Sequence, residues 1–173
     1  MTNYRERLKD ITTFIFDYDG VLTDGSVIML PDGDGVRRSN VKDGYALNFA
    51  VKNGYRVVII SGGKSLSMQK RMDALKITDV FLGVTYKLDI FEEYCDVNEL
   101  NPDEIVYMGD DIPDYQVMQR VGIACCPADA DVEIQQISHY ISKYNGGSGC
   151  VRDIIEQVMR VQGKWMNESA FKW

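Results

Sequence analysis

Short apolar runs alternate with amphipathic stretches along the whole chain. Residues 11–16 (ITTFIF), 56–60 (RVVII), 79–83 (DVFLG), 104–108 (EIVYM) and 122–126 (GIACC) are short and rich in β-branched or aromatic side chains, which predicts strands buried on both faces. Helical periodicity predicts helices between them, at about 43–53, 64–76, 87–99 and 112–121, and later at 130–137 and 149–161. In 43–53, Tyr45, Leu47, Phe49 and Ala50 supply most of an apolar face, and Gly54 offers a C-terminal stop. In 87–99, Leu88, Phe91, Tyr94 and Cys95 fall at helical spacing. Strand–helix alternation of this kind predicts an α/β fold, a Rossmann-like doubly wound parallel sheet flanked by helices. One segment breaks the rhythm. Residues 26–39 carry two short runs around PDGDG, a β-hairpin signal inserted after the first strand. No Ser/Pro-rich linker or internal repeat divides the chain, so residues 1–173 read as one domain, with a tail at about 163–173 that carries no motif.

Composition removes several kinds of chemistry. The 173 residues are 45% hydrophobic and 26% charged, an ordinary globular mix with enough chain for a core that needs no disulfide or zinc staple. With 19 Lys and Arg against 26 Asp and Glu, the net charge of −7 argues against nucleic acid and anionic membranes as partners. Cys95, Cys125, Cys126 and Cys150 form no C-x-x-C pair, and a reducing cytoplasm is the expected compartment. No apolar run approaches a membrane span, and the opening MTNYRERLKD lacks a signal-peptide core. His139 is the only histidine, so Ser-His and Cys-His catalysis lack their parts. Carboxylates, hydroxyls, lysines or a bound cation must do the work.

Ligands of open parallel sheets bind beyond the carboxyl ends of the strands. The residues just past each strand therefore carry the functional signal. Asp17-Tyr18-Asp19-Gly20 stands after the first, continuing to Thr23, Asp24 and Gly25; Ser61-Gly62-Gly63-Lys64 stands after the second. Lys87 opens the helix after the third, and Gly109-Asp110-Asp111-Ile112-Pro113-Asp114 comes after the fourth. Several carboxylates at one edge call for a divalent cation, and an all-oxygen site with few protein ligands suits Mg²⁺. Asp17 and Asp19 can divide nucleophilic and proton-transfer work, while Ser61, the Gly62-Gly63 backbone and Lys87 can hold a phosphoryl group.

These residues, in order, resemble the four motifs of the haloacid dehalogenase superfamily of phosphatases. Together with the hairpin and Gly146-Gly147-Ser148-Gly149-Cys150-Val151-Arg152-Asp153, the chain is similar from about residue 11 to 162 to the capless 3-deoxy-D-manno-octulosonate 8-phosphate phosphatase branch. The resemblance implies Mg²⁺-dependent hydrolysis of a sugar-acid phosphate, lipopolysaccharide biosynthesis as its setting, and a homotetramer. It makes Asp17 the nucleophile that becomes an aspartyl phosphate, and Asp19 the proton donor to the leaving alkoxide and later the activator of water. Asp17, Asp110 and the Asp19 main-chain carbonyl would bind the metal, with Asp111 and Asp114 orienting metal waters and Lys87. Thr23, Gly62 and Gly63 join Lys64, Arg71 and Arg152 as candidate substrate contacts, one of the three basic residues taking the substrate carboxylate. Two departures stand out: family members often carry Gly-Arg soon after the second-motif hydroxyl, where this chain has Gly63-Lys64, and Ala and Glu where it has Cys150 and Asp153.

Each residue alone has an ordinary explanation. An Asp in a loop makes turn hydrogen bonds, Ser61 can cap a helix, Lys87 can be a solvated helix residue, and Asp111 and Asp114 can complement a helix N-terminus. Four motifs in register favour catalysis. Other readings are a nonulosonate 9-phosphate phosphatase, a phospho-accepting receiver domain and an inactive interaction module. A receiver places its acceptor Asp after the third strand, where this chain has Gly83-Val84-Thr85-Tyr86, and the intact Asp17, Asp19, Lys87 and Asp110 speak against an inactive module. With only a hairpin between Gly25 and Ser61, one subunit has little to exclude water from its site, so Val27, Met29 and Leu30 are expected at a subunit interface.

Overall fold

The computed structural model describes residues 3–172; Met1, Thr2 and the last tail residue, Trp173, lie outside them. A first short helix α1 (Tyr4–Arg7) leads to β1 (Thr13–Phe16), the hairpin strands β2 (Ile28–Met29) and β3 (Gly35–Val36), and α2 (Val41–Lys52). Then come β4 (Arg56–Ser61), α3 (Leu66–Ala74), β5 (Asp79–Leu82), α4 (Lys87–Val97), β6 (Ile105–Met108), α5 (Tyr115–Met118), β7 (Ile123–Cys126), α6 (Val132–Ile137), β8 (Tyr140–Ile141) and α7 (Cys150–Val161). Six parallel strands form one sheet in the order β5-β4-β1-β6-β7-β8. The expected α/β architecture is present, with the hairpin after β1 and no cap domain.

Pleating explains why the strands read as unbroken apolar runs. Phe14, Phe16, Val57, Ile59, Val106, Met108, Ile123 and Cys125 face one side and pack on α2, α3 and α7. Ile15, Val58, Ile60, Ile105, Tyr107, Ala124 and Cys126 face the other, against α4, α5 and α6. Asn40 caps α2 through the Lys42 and Asp43 N–H groups, so that helix starts earlier than its apolar periodicity indicates. The expected helix at 112–121 divides into a 3₁₀ turn (Ile112–Asp114) and the short α5.

Two elements escape the sequence pattern: α1 and the two-residue edge strand β8. The tail docks on the body, with Trp165 edge-on to Phe49 at 5.6 Å between ring centroids. Among the described residues, no helix is long and apolar enough to cross a membrane.

Candidate active site

The chain winds from β1 outward through β4 to β5, then returns to place β6 on the other side of β1. The strand order therefore reverses between β1 and β6, where a crevice opens at the carboxyl ends. The Asp17 N–H donates to the Met108 carbonyl at 3.0 Å, fastening the end of β1 to that of β6. A cavity of about 390 Å³ lies there, lined by acids from both strand ends, the Ser61-Gly62-Gly63 turn and Lys87.

Lys87 is buried at the first turn of α4, and its ammonium bridges Asp17 Oδ1 at 2.9 Å and Asp114 Oδ1 at 2.7 Å. Burial alone would lower its pKa, but Asp114 and Asp17 reverse that and keep it above the ordinary lysine value. Asp114 also accepts from the Tyr107 hydroxyl at 2.5 Å and from the Asp110 N–H at 3.3 Å. The sequence pattern does not single out Tyr107. It reads there as one more apolar strand residue, and only the fold shows its hydroxyl reaching Asp114.

Oxygens of Asp17, Asp110 and Asp114 all lie within 4.8 Å of one another. Burial first, then repulsion from Asp114, pushes the Asp17 carboxyl up to about 6 despite Lys87. Burial, then Asp17 and Asp114, pushes Asp110 up to about 8. Asp110 Oδ1 is buried with no hydrogen-bond partner among the described residues. Crowded, desolvated carboxylates with a bare oxygen fit a divalent metal ion, which would satisfy that oxygen and offset the repulsion. Gly20, at φ +84°, is needed beside them, since a Cβ there would stand 2.0 Å from Asp110 Oδ2.

The C-terminal Gly-rich segment supports the D-x-D loop from below. A Cβ on Gly146 would fall 1.9 Å from the Gly20 carbonyl, and the Gly147 N–H donates to the Val21 carbonyl at 2.9 Å. Buried Asp43 of α2 accepts from the Gly149 and Arg152 N–H groups at 3.1 and 2.8 Å, capping the start of α7.

Several candidates stand elsewhere. Thr23 is fully buried and accepts from the Gly20 and Gly25 N–H groups, both at 3.3 Å, which fixes the turn and leaves no surface for a ligand. Arg152 lies on α7 with its guanidinium 5.2 Å from the Trp165 ring centroid and its Nε on Glu156 at 3.3 Å, outside the cavity. Arg71 packs against Gly44 of α2, where a Cβ would meet its Nη2 at 2.3 Å, in a separate crevice beside Tyr18 and Leu22. Lys64 is exposed and lays its stem along Gly83. Among the described residues Lys87 is the one basic residue lining the cavity. Asp111 lines it too, its Oδ1 accepting from the Ile112 N–H at 2.8 Å.

One basic side chain that the sequence did not flag is close. Arg37, just past β3, donates from Nε to Asp19 Oδ1 at 2.8 Å and from Nη2 to Asp19 Oδ2 at 3.0 Å. Neither arginine of the Arg37-Arg38 pair after the hairpin carries a signal in sequence; the hairpin's return over the site singles out Arg37.

A doubly wound domain with paired acids after its first strand, and a lysine bridging acids from two strand ends, has the build of a haloacid dehalogenase-type phosphatase, a phosphoric monoester hydrolase. Known proteins agree. The 3-deoxy-D-manno-octulosonate 8-phosphate phosphatase of Escherichia coli K12 is 33% identical over 158 residues, covering 91% of this chain and 84% of that protein. The crystal structure of the phosphatase of the same name from Yersinia pestis superposes with a TM-score of 0.91 at 31% identity, covering 94% of this chain and 88% of that one. The Moraxella catarrhalis enzyme, solved with magnesium, phosphate and KDO, gives a TM-score of 0.90 at 27% identity, covering 94% of each chain. No family profile matches the sequence. The chain belongs to the capless 3-deoxy-D-manno-octulosonate 8-phosphate phosphatase family of the haloacid dehalogenase superfamily.

Proposed function

We propose that this protein hydrolyses 3-deoxy-D-manno-octulosonate 8-phosphate to the free sugar acid and phosphate, with Mg²⁺ as its metal. The observation that carries the reading is the Asp17–Lys87–Asp114 bridge beside the unpartnered Asp110 oxygen. Asp17 attacks phosphorus, and the bond to the sugar oxygen breaks to leave an aspartyl phosphate. Asp19 gives the leaving oxygen a proton, then takes one from the water that releases phosphate. Lys87 fixes the attacking carboxylate and meets the charge of the phosphoryl group, with Ser61 and the Gly62-Gly63 turn donating to its oxygens. Asp17, Asp110 and the Asp19 carbonyl would hold Mg²⁺, which supplies positive charge against the phosphate and the acids. Asp111 and Asp114 orient that set from outside.

The named relatives support the eight-carbon acid, and nonulosonate 9-phosphate is the alternative. Comparing kcat/KM for the two acids and a hexose 6-phosphate tests this. Preference for the eight-carbon acid is expected, and equal rates on the hexose phosphate would overturn it. A homotetramer fits the hairpin, whose Ile28 and Met29 are each 67% exposed with Val27 and Leu30 beside them. Four buried free thiols support a cytoplasmic setting.

A further inference from the structure

The sugar acid of the proposed substrate has a carboxylate that needs a cation. Lys87 is committed to Asp17 and Asp114, and Lys64, Arg71 and Arg152 do not line the cavity. Arg37 does not line it either, but among the described basic residues besides Lys87 it is the one ion-paired with a residue that does, Asp19. We propose that Arg37 is the carboxylate-recognition residue of this enzyme, and that it binds substrate by exchanging its ion pair with Asp19 for one with the ligand, which frees Asp19 for proton transfer.

The geometry makes Arg37 a formed carboxylate site. Its Nη1 is tied to the Gly35 carbonyl at 2.7 Å, leaving Nε and Nη2 as a fork that Asp19 fills with both oxygens. A guanidinium fork matches any carboxylate at two points, so Asp19 stands where a ligand carboxylate can stand. The sequence keeps the space open. A Cβ on Gly63 would lie 2.7 Å from Asp19 Oδ2 and 3.1 Å from Arg37 Nη2, and one on Gly35 would lie 3.1 Å from Arg37 Nη1. The side chain of Arg37 is only 9% exposed, which makes the pair worth more than a surface contact.

In this paired state Asp19 is poorly placed to act. Its Oδ1 accepts from Arg37 Nε and from the Thr23 hydroxyl, and its Oδ2 from Arg37 Nη2, which holds the carboxylate on the fork. Proton transfer needs an oxygen turned toward the sugar oxygen. Replacing Asp19 on the fork by a second carboxylate exchanges like for like, at little net cost. A phosphate ester with no carboxylate must instead break the pair with nothing to replace it. Recognition of the acid and release of Asp19 thus become one event, and the discrimination falls on kcat as well as KM.

This inference rests on the sugar-acid reading above, and its test separates the two. Kinetics with Mg²⁺ on 3-deoxy-D-manno-octulosonate 8-phosphate and on hexose 6-phosphate are compared for wild type, Arg37→Met and Arg37→Lys, with thermal unfolding to check the fold. Arg37→Met should lose about 100-fold in kcat/KM on the sugar acid and gain on the hexose phosphate, where Asp19 no longer has a pair to break, with Arg37→Lys between. Equal losses on both substrates would mean that Arg37 only braces Asp19, and an undiminished preference for the acid would mean that it does not read the carboxylate; either overturns the proposal. Wild type with no preference for the acid overturns the substrate reading itself, and the exchange with it. Calorimetry of the free sugar acid gives a second arm without turnover. Asp19→Asn should bind it about tenfold more tightly than wild type, since the internal competitor has lost its charge, and adding Arg37→Met should abolish the gain. Equal or weaker binding by Asp19→Asn, or a gain that survives Arg37→Met, overturns the exchange.

Discussion

Lys87 and Asp114 stand 27 residues apart in sequence and 2.7 Å apart in space. The contact ties the N-terminus of α4 to the turn after β6, and through the same ammonium to Asp17 at the end of β1. Three segments of the sheet edge are thus held by one charge. Its removal would leave buried carboxylates uncompensated.

Asp17→Asn should reduce kcat on the sugar-acid phosphate by about 1,000-fold or more, because an amide is a poor nucleophile and a weaker metal ligand. Phosphate release under saturating substrate checks this, and near-wild-type turnover would refute the covalent route.

Tyr107→Phe removes a donor to Asp114 without changing the packing shape. The pair is fully buried, so the variant should lose about 1–2 kcal/mol of stability and lower kcat more than it raises KM, since Asp114, which orients Lys87, loses one of its donors. Urea unfolding and steady-state kinetics on the same preparation read both. Unchanged kcat would show that the hydroxyl does not matter to the position of Lys87.

The metal-free protein should become less stable as pH rises. Asp17 and Asp110 are raised to about 6 and about 8, so between the unfolded carboxyl value near 4 and those values the folded state holds more protons than the unfolded one. Their contribution is most favourable near the unfolded pKa and is lost as pH climbs through each folded one. Mg²⁺ competes with the same protons, so the rise in Tm on adding it should grow from about pH 5.5 to about pH 8.5. A shift independent of pH would separate the metal from these carboxylates.

Gly146→Ala should cost about 2 kcal/mol and most of the activity, because its methyl would meet the Gly20 carbonyl at 1.9 Å and push on the D-x-D loop. Gly33→Ala, at a turn with nothing within 4 Å but with φ +87°, serves as the control: it should lose some stability and keep its kcat. Equal effects on kcat would remove the Gly-rich segment from the support of the site.

Met29→Asp on the exposed hairpin should shift light scattering toward smaller species if this ribbon joins subunits. An unchanged mass would move the interface elsewhere.

The sequence by itself determined the strands, because a strand buried on both faces must be apolar at nearly every position and short, as Thr13–Phe16 and Ile105–Met108 are. It also determined which polar residues gather at the sheet edge: in parallel strands every carboxyl end lies on one side, so Asp17, Ser61, Lys87 and Asp110 are brought together by topology alone. The tertiary structure decided which charge meets which. Arg37 and Asp19 are joined by the return of a hairpin, and Tyr107 and Asp114 by a turn that folds back over its own strand. Arg152 and Arg71, equally basic in sequence, are turned to the α2 side by Trp165 and Gly44. The two-residue β8 shows the same limit, since it is a strand only by its pairing with β7. Periodicity records which face of an element is buried, whereas a hydrogen bond between distant side chains depends on angles and offsets that no local pattern encodes.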